Sequence, residues 1–438
     1  MFRRLTQFFV ALVQKYLPDP FLFAVILTFV VFLGGVFLTD NGPYQMVQHW
    51  GNGFWKLLTF SMQMVLVLVT GHALANSAPI KAVLQGIAAA AKTPTNAVMI
   101  TAFVAAIASW INWGFGLVVG ALLGREMARQ VKGLDYRLII ATAYMGFLTW
   151  HGGLAGSIPL SLATSTDWSF KLTGGINVGQ TIFAPYSLII ALALILTLPL
   201  LARFMIPPEE EVFAIDPALL ETKAPAETPA KMRTPAEKIE NSPVISLALT
   251  AVALVYLIHH FSKGGSLNLN IINFIFLFAG ILFHWTPRRY INALYEAVKG
   301  SGGIILQFPF YAGIMGMMIS SGLAAMISQW FVSVSTPFSF PFFSFLSAGI
   351  VNIFVPSGGG QWAVQGPILI PAAMEIGVDT GRAAMAIAWG DAWTNMIQPF
   401  WALPALGIAG LNARDIMGYC IIALLYSGII ISIGLLFL

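Results

Sequence analysis

Three glycines in a row between a serine and a glutamine, Ser357-Gly358-Gly359-Gly360-Gln361 within "VPSGGGQWAVQGP", form the most chemically pointed stretch of this sequence. Glycine is a poor helix former and carries no side chain, so a ligand can approach its peptide N–H groups directly. Where a helix starts at such a point, its first N–H groups lack partners and its dipole presents positive charge, which suits a carboxylate. Ser357 and Gln361 add side-chain donors. The predicted chemistry is anion binding, and the chain is expected to unwind over Pro356 to Gly360, with a half-helix starting at Gln361. A counterpart, Asn112-Trp113-Gly114-Phe115-Gly116, stands in the first half of the chain. A single glycine in a membrane helix usually serves close packing, but the two clusters together are read as a ligand site.

Two further runs interrupt apolar segments: Thr149-Trp150-His151-Gly152-Gly153 and Asp391-Ala392-Trp393-Thr394-Asn395. Broken helices offer unwound carbonyls to a cation and half-helix ends to an anion. Asp391 is the acidic residue placed well inside a span, where a carboxylate is costly enough to suggest a proton or sodium site; the alternative is a hydrogen bond to a neighbouring helix. His151 could carry a proton near neutral pH or simply line the site, and Thr394 and Asn395 join the substrate-binding set. Tryptophans 110, 113, 150, 362, 389, 393 and 401 gather around these segments, either as an apolar wall for a ligand or as packing. There is no Walker sequence, His-x-x-x-His pair, cysteine pair or nucleophile elbow. No cofactor or metal is therefore expected, and neither is an enzyme or an ATP-driven pump. An intramembrane hydrolase would require Ser357, His151 and Asp391 to converge.

The elements that must position these residues are membrane helices. Of 438 residues, 58% are hydrophobic and 9% charged, with a mean hydropathy of +0.82, against roughly 25% charged in a soluble domain. At about 20 residues per crossing the chain holds around ten spans. They are expected near 20 to 39, 57 to 78, 95 to 111, 138 to 165, 180 to 206, 244 to 261, 269 to 285, 303 to 321, 337 to 355, 382 to 411 and 415 to 437. The first 20 residues interleave Arg3, Arg4 and Lys15 with Leu5, Phe8, Phe9 and Leu12, the pattern of an interfacial helix. The single Cys420 excludes an internal disulfide and reads as lipid-facing or packing. A net charge of +4 is read as topology, with no nucleic-acid partner implied.

Residues 207–243 are rich in Pro, Glu, Lys and Ala, too polar for lipid, and divide the chain into membrane repeats at 1–206 and 244–438. A shift of 244 positions superposes Gln63 on Gln307, Gly114 on Gly358, Gly116 on Gly360, Gly133 on Gly377, Asp135 on Asp379, Gly146 on Gly390 and His151 on Asn395. Lys81, Lys92, Arg125, Arg129, Lys132 and Arg137 flank the first glycine cluster, whereas no Lys or Arg occurs from Gly300 to Gly381. By the positive-inside rule the two clusters face opposite sides. The predicted fold is all-α and polytopic, with inverted-topology repeats, two re-entrant helical hairpins near 95–132 and 337–376, and broken helices, a signature of secondary transporters. The N-terminus is expected in the cytoplasm and the C-terminus in the periplasm. Without Lys or Arg in the predicted core, one carboxylate suits the site better than two.

"VPSGGGQWAVQGP", the following "GVDTGRAAMAIAWGDAWTNMIQPFWALP" and the N-terminal "YLPDPFLFAVILT" together resemble the bacterial short-chain fatty acid transporter family of acetoacetate and butyrate uptake proteins, over nearly the whole chain. The resemblance implies a multi-pass inner-membrane carrier of short-chain monocarboxylates, within an ion-transporter superfamily of inverted repeats that commonly work as homodimers with an elevator-like transport domain. That domain would hold both hairpin tips, His151, Asp391 and Asn395. The dicarboxylate branch of that superfamily carries Ser-Asn-Thr motifs at its tips, and neither tip here has one, so sodium coupling is not carried over. A carrier of another small anion, such as a dicarboxylate or an amino-acid conjugate, is the alternative.

Overall fold

The computed structural model describes residues 20–165, 168–215, 234–355, 357–398 and 401–438. The interfacial helix expected before Pro20, the middle of the linker and Pro356 lie outside them. Every regular element among the described residues is a helix. Among the described residues, seven stretches are long and apolar enough to cross a membrane: Leu58–Ala75, Pro94–Ile111, Tyr136–Ala163, Pro185–Phe204, Pro243–Ser262, Pro287–Ser320 and Ala413–Phe437. The chain is a multi-pass membrane protein. Several of the eleven runs expected from hydropathy are instead shorter helices that meet end to end or stop inside the molecule, such as Leu269–His284 and Phe340–Phe354.

Elements on either side of the linker come in the same order. Leu58–Ala75, Ala78–Ala90, the pair Pro94–Ile111 and Trp113–Gln130, the interrupted Tyr136–Met145 and Ser157–Ala163, and Pro185–Phe204 are matched in turn. Their counterparts are Gly302–Ser320, Leu323–Val334, the pair Phe340–Phe354 and Gly358–Glu375, the interrupted Thr380–Thr394 and Leu403–Ala409, and Ala413–Phe437. Physical requirements explain the shared residues. Gly133 and Gly377 both take left-handed backbone, at φ +73° and +77°, which a side chain would strain. Two residues later Asp135 and Asp379 cap the next helix, accepting from the N–H of Leu138 at 2.8 Å and of Arg382 at 2.7 Å. Gly146 and Gly390 lie against the first arm of their own hairpin, where a Cβ would strike Ala105 and Ala106 or Phe345 and Ala348. Glycine there lets two helix backbones touch.

Each hairpin has a tip at a capped break. Asn112 accepts from the N–H of Phe115 at 2.9 Å, and Ser357 from that of Gly360 at 3.3 Å. The caps stand 245 positions apart although the surrounding glycines keep 244, so the tips are one residue out of step. In the first hairpin the arms meet backbone on backbone where Gly116 lies on Ser109, and Gly120 lies against the Ala105 methyl group. In the second they are bridged by side chains: Gln361 Nε2 donates to Ala348 O at 2.8 Å, and Gln365 Nε2 to Ser347 Oγ at 3.0 Å.

Helix breaks follow the polar runs. A 3-10 turn, Gly146–Gly152, follows Tyr136–Met145, and another, Asn395–Ile397, follows Thr380–Thr394. On the linker side, Phe213 pairs with the start of the first broken helix, donating to Asp135 Oδ2 and accepting from the N–H of Tyr136, both at 2.8 Å. Cys420 is fully buried, which makes it packing and not lipid-facing.

Candidate functional site

The two tips and the first break meet around one narrow crevice lined by Met64, Trp113, Phe147, Trp150, Ser157, Ile304, Phe308, Ser357, Gly358, Gly359 and Trp401. Its apolar walls are aromatic. Trp113 packs on Trp401 with centroids 5.1 Å apart and on Trp150 at 6.0 Å, and Phe147 stacks on Trp150 at 5.5 Å. Of the seven clustered tryptophans, positions 113, 150 and 401 line this space. Trp362 packs on Trp168, Trp110 on Phe183, Trp389 on Gly152, and Trp393 on Phe345 while donating to Leu424 O at 2.7 Å.

The polar side of the crevice is the start of Gly358–Glu375. Gly358, Gly359 and Gly360 are its first helical turn, not the unwound stretch expected, because Ser357 caps them and Gln361 N–H already reaches Ser357 O at 2.7 Å. The glycines serve both to expose N–H groups and to fit. A Cβ on Gly359 would strike Phe60, and one on Gly360 would strike Tyr311. On Gly358 it would lie 2.5 Å from His151 Cε1, 2.6 Å from Ser157 Oγ and 2.8 Å from Trp150. Gln361 turns its amide into its own hairpin, donating to Ala348 O and Gln365 Oε1, so its donors are spent there. At the other tip Gly114 packs on Leu68 and Gly116 on Ser109, so these two set helix approach, while Trp113 alone of that cluster reaches the crevice.

Behind the crevice runs a fully buried polar line. His151 Nδ1 is 2.9 Å from Asp391 Oδ2, and its Nε2 is 3.2 Å from both Ser157 Oγ and the backbone N–H of Ile158. A backbone N–H can only donate, so Nε2 must be the accepting nitrogen and Nδ1 carries the proton given to Asp391. His151 is thereby a neutral imidazole, stacked on Trp150 with centroids 4.0 Å apart. Both His151 and Asp391 are without solvent exposure.

Thr394 and Asn395 stand one turn further on, away from the crevice. Asn395 Nδ2 donates to Asp391 O at 2.5 Å, and Asn352 Nδ2 donates to the same oxygen at 2.8 Å and to Thr394 Oγ1 at 3.0 Å. Gln398 Nε2 donates to Asn352 O at 2.9 Å, and Tyr144 OH to Asn395 O at 2.8 Å.

The sequence matches, over residues 1–438, the family model described as "Short chain fatty acid transporter". The chain belongs to the short-chain fatty acid transporter family. A protein of Escherichia coli (strain K12) named "Putative short-chain fatty acid transporter" is 48% identical over 437 residues, 99% of each chain. A protein of the same name from Haemophilus influenzae (strain ATCC 51907 / DSM 11121 / KW20 / Rd) is 47% identical over 450 residues, the whole of each chain. Among solved structures, the Alcanivorax borkumensis YdaH transporter, whose crystal structure "reveals an unusual topology", superposes with a TM-score of 0.58 at 16% identity, covering 95% of this chain and 98% of that one. That likeness is one of fold.

In this member of a transporter family the serine, histidine and aspartate do not make a hydrolase. The serine on His151 is Ser157, whereas Ser357 is committed to its cap, and the Nε2 lone pair that would deprotonate Ser157 is shared with an N–H that cannot leave. Ser157 was not singled out from the sequence. The signal available was its place after Gly156 at the restart of the broken helix, where a short polar side chain commonly faces the gap. Asn352, a lone amide in an apolar run, and Gln398, three residues after Asn395, were also missed.

Proposed function

We propose that this protein carries short-chain monocarboxylates, of the acetoacetate and butyrate class, across the bacterial inner membrane. The observation that carries the reading is the crevice itself, with Ser157, Ser357 and the first N–H groups of Gly358–Glu375 on one side and Trp113, Phe147, Trp150, Ile304 and Phe308 on the other. The carboxylate sits at the helix start, where dipole and unpaired N–H groups favour an anion, and the short acyl tail lies along the rings. No Lys or Arg lines the crevice, so a second carboxylate would remain unpaired in low dielectric.

A monoanion entering a negative interior works against about 2.3 kcal/mol per 100 mV, which one co-transported cation cancels. Asp391, held by His151 Nδ1 at 2.9 Å, is the buried carboxyl group placed to receive that cation. The two hairpins, both breaks and this pair would move as one elevator-like body of a homodimer, with the N-terminus cytoplasmic and the C-terminus periplasmic.

The test is uptake of radiolabelled butyrate into proteoliposomes at pH 7.5, with protein-free liposomes as the leak control and imposed proton or sodium gradients. Saturable uptake, inhibited by acetoacetate but not by succinate, is expected. Uptake no faster than in protein-free liposomes would reject the proposal, and equal inhibition by succinate would reject the single-carboxylate site.

A further inference from the structure

Four buried side-chain oxygens around the second break have no hydrogen-bond partner: Asn352 Oδ1, Asn395 Oδ1, Gln398 Oε1 and Asp391 Oδ1. Their residues are between 0% and 3% exposed. In each amide the nitrogen is pinned by a carbonyl oxygen, Asp391 O for Asn352 and Asn395, and Asn352 O for Gln398. The orientation of all three amides is thereby fixed, and the free atom is the acceptor in every case. An amide's nitrogen and oxygen are about 2.3 Å apart. With Nδ2 distances of 2.8 and 2.5 Å to Asp391 O, both asparagine oxygens fall within about 5 Å of that one atom. Asp391 lies one helical turn before Asn395, so their side chains share a face.

An unpaired buried acceptor is destabilising, so four near one break ask for a common partner. A water molecule donates only two protons and would leave the other oxygens unsatisfied. A proton on Asp391 Oδ1 would serve one of them. A hard cation takes lone pairs from several oxygens at once, and one carboxylate with neutral amides matches a single positive charge better than two.

We propose that Asn352, Asn395, Gln398 and Asp391 bind a sodium ion, which is the cation that accompanies the carboxylate. This rests on the carrier reading above only for the ion's role in transport, since binding itself needs no substrate. Asn352 belongs to the first arm of the second hairpin, Phe340–Phe354, while the other three belong to the broken helix. The ion therefore ties hairpin to break, behind the helix start that receives the anion.

Two measurements on the purified full-length protein in proteoliposomes test it. Binding of radioactive sodium by scintillation proximity, without carboxylate, should saturate, be displaced by NaCl and resist equimolar KCl. Asn395→Val and Gln398→Met, checked for monodispersity, should weaken it at least tenfold, while the remote Gly407→Ala leaves it within twofold. Butyrate uptake should follow an inward sodium gradient at equal pH. Binding in the wild type that KCl displaces as well as NaCl overturns the sodium site, and so does binding that both variants keep within twofold. Uptake driven by a pH gradient with no sodium dependence also overturns it, yet leaves the carrier standing. Sodium binding without any butyrate uptake would instead overturn the carrier and keep the site.

Discussion

Gly358→Ala is the sharpest probe of the crevice, because one methyl group would enter the contact between the second tip and His151. The added Cβ would stand 2.5 Å from His151 Cε1, 2.6 Å from Ser157 Oγ and 2.8 Å from the Trp150 ring, where carbon contacts settle at about 3.5–4.0 Å. Relief needs a shift of about 1 Å by an imidazole already held by Asp391, Ile158 and the Trp150 face. Such a shift takes the 2.9 Å contact to Asp391 beyond hydrogen-bonding range, roughly 3.2 Å for N–H···O. The strain of an extra methyl is about 1–3 kcal/mol, and loss of a hydrogen bond to a charged group about 1.5–3 kcal/mol. Whichever the site accepts, about 2 kcal/mol is lost where substrate binds, so initial butyrate uptake should fall about 30-fold. Gly407→Ala is the control, since a methyl there meets nothing within 4 Å. The assay is initial uptake in proteoliposomes, normalised to folded protein by size-exclusion fluorescence. If Gly358→Ala folds and keeps more than half the wild-type rate, the close tip-to-histidine geometry is wrong.

Gln361→Leu should unfold earlier without raising KM, because it strands Ala348 O and the Gln365 amide at about 1–3 kcal/mol each; a several-degree fall in melting temperature is expected, and an unchanged one refutes the bridging role. Trp113→Ala opens the apolar wall, so hexanoate should gain on butyrate by about tenfold in relative KM, at about 0.8 kcal/mol for each of two further methylenes; competition curves measure this, and an unchanged ratio excludes Trp113 from the tail site. Cysteine pairs separate the hairpins: cross-linking 105 to 120 should leave uptake intact, whereas 347 to 365 should arrest it until reduction. The reverse pattern would show that the first hairpin is the one that opens.

Breaks, hairpins and the shared order of elements on either side of the linker were legible because they depend on backbone. Gly133 and Gly377 mark left-handed turns, Asp135 and Asp379 caps, and Gly146 and Gly390 close crossings, so each required its residue type twice. The sequence could not say which glycines line the crevice and which only pack between helices. Gly114 and Gly116 superpose on Gly358 and Gly360 in sequence, yet they meet Leu68 and Ser109, partners fixed by helix crossing. The superposition of Gly114 on Gly358 also hid the one-residue offset between the caps, which turns one helix start by about 100° relative to the other. Asp391 and His151 stood out as polar groups in apolar runs, but their contact spans 240 positions. Ser157, Asn352 and Gln398 are common polar residues whose neighbours alone make them notable.

The two hairpins are closed by unlike seams, backbone against backbone in the first and glutamine amides in the second. A carrier must present one site to two compartments in turn. Backbone packed on backbone has one good arrangement, whereas an amide can trade one acceptor for another at little cost. The first hairpin is thus built to stay closed, while the second has the seam that can be re-made.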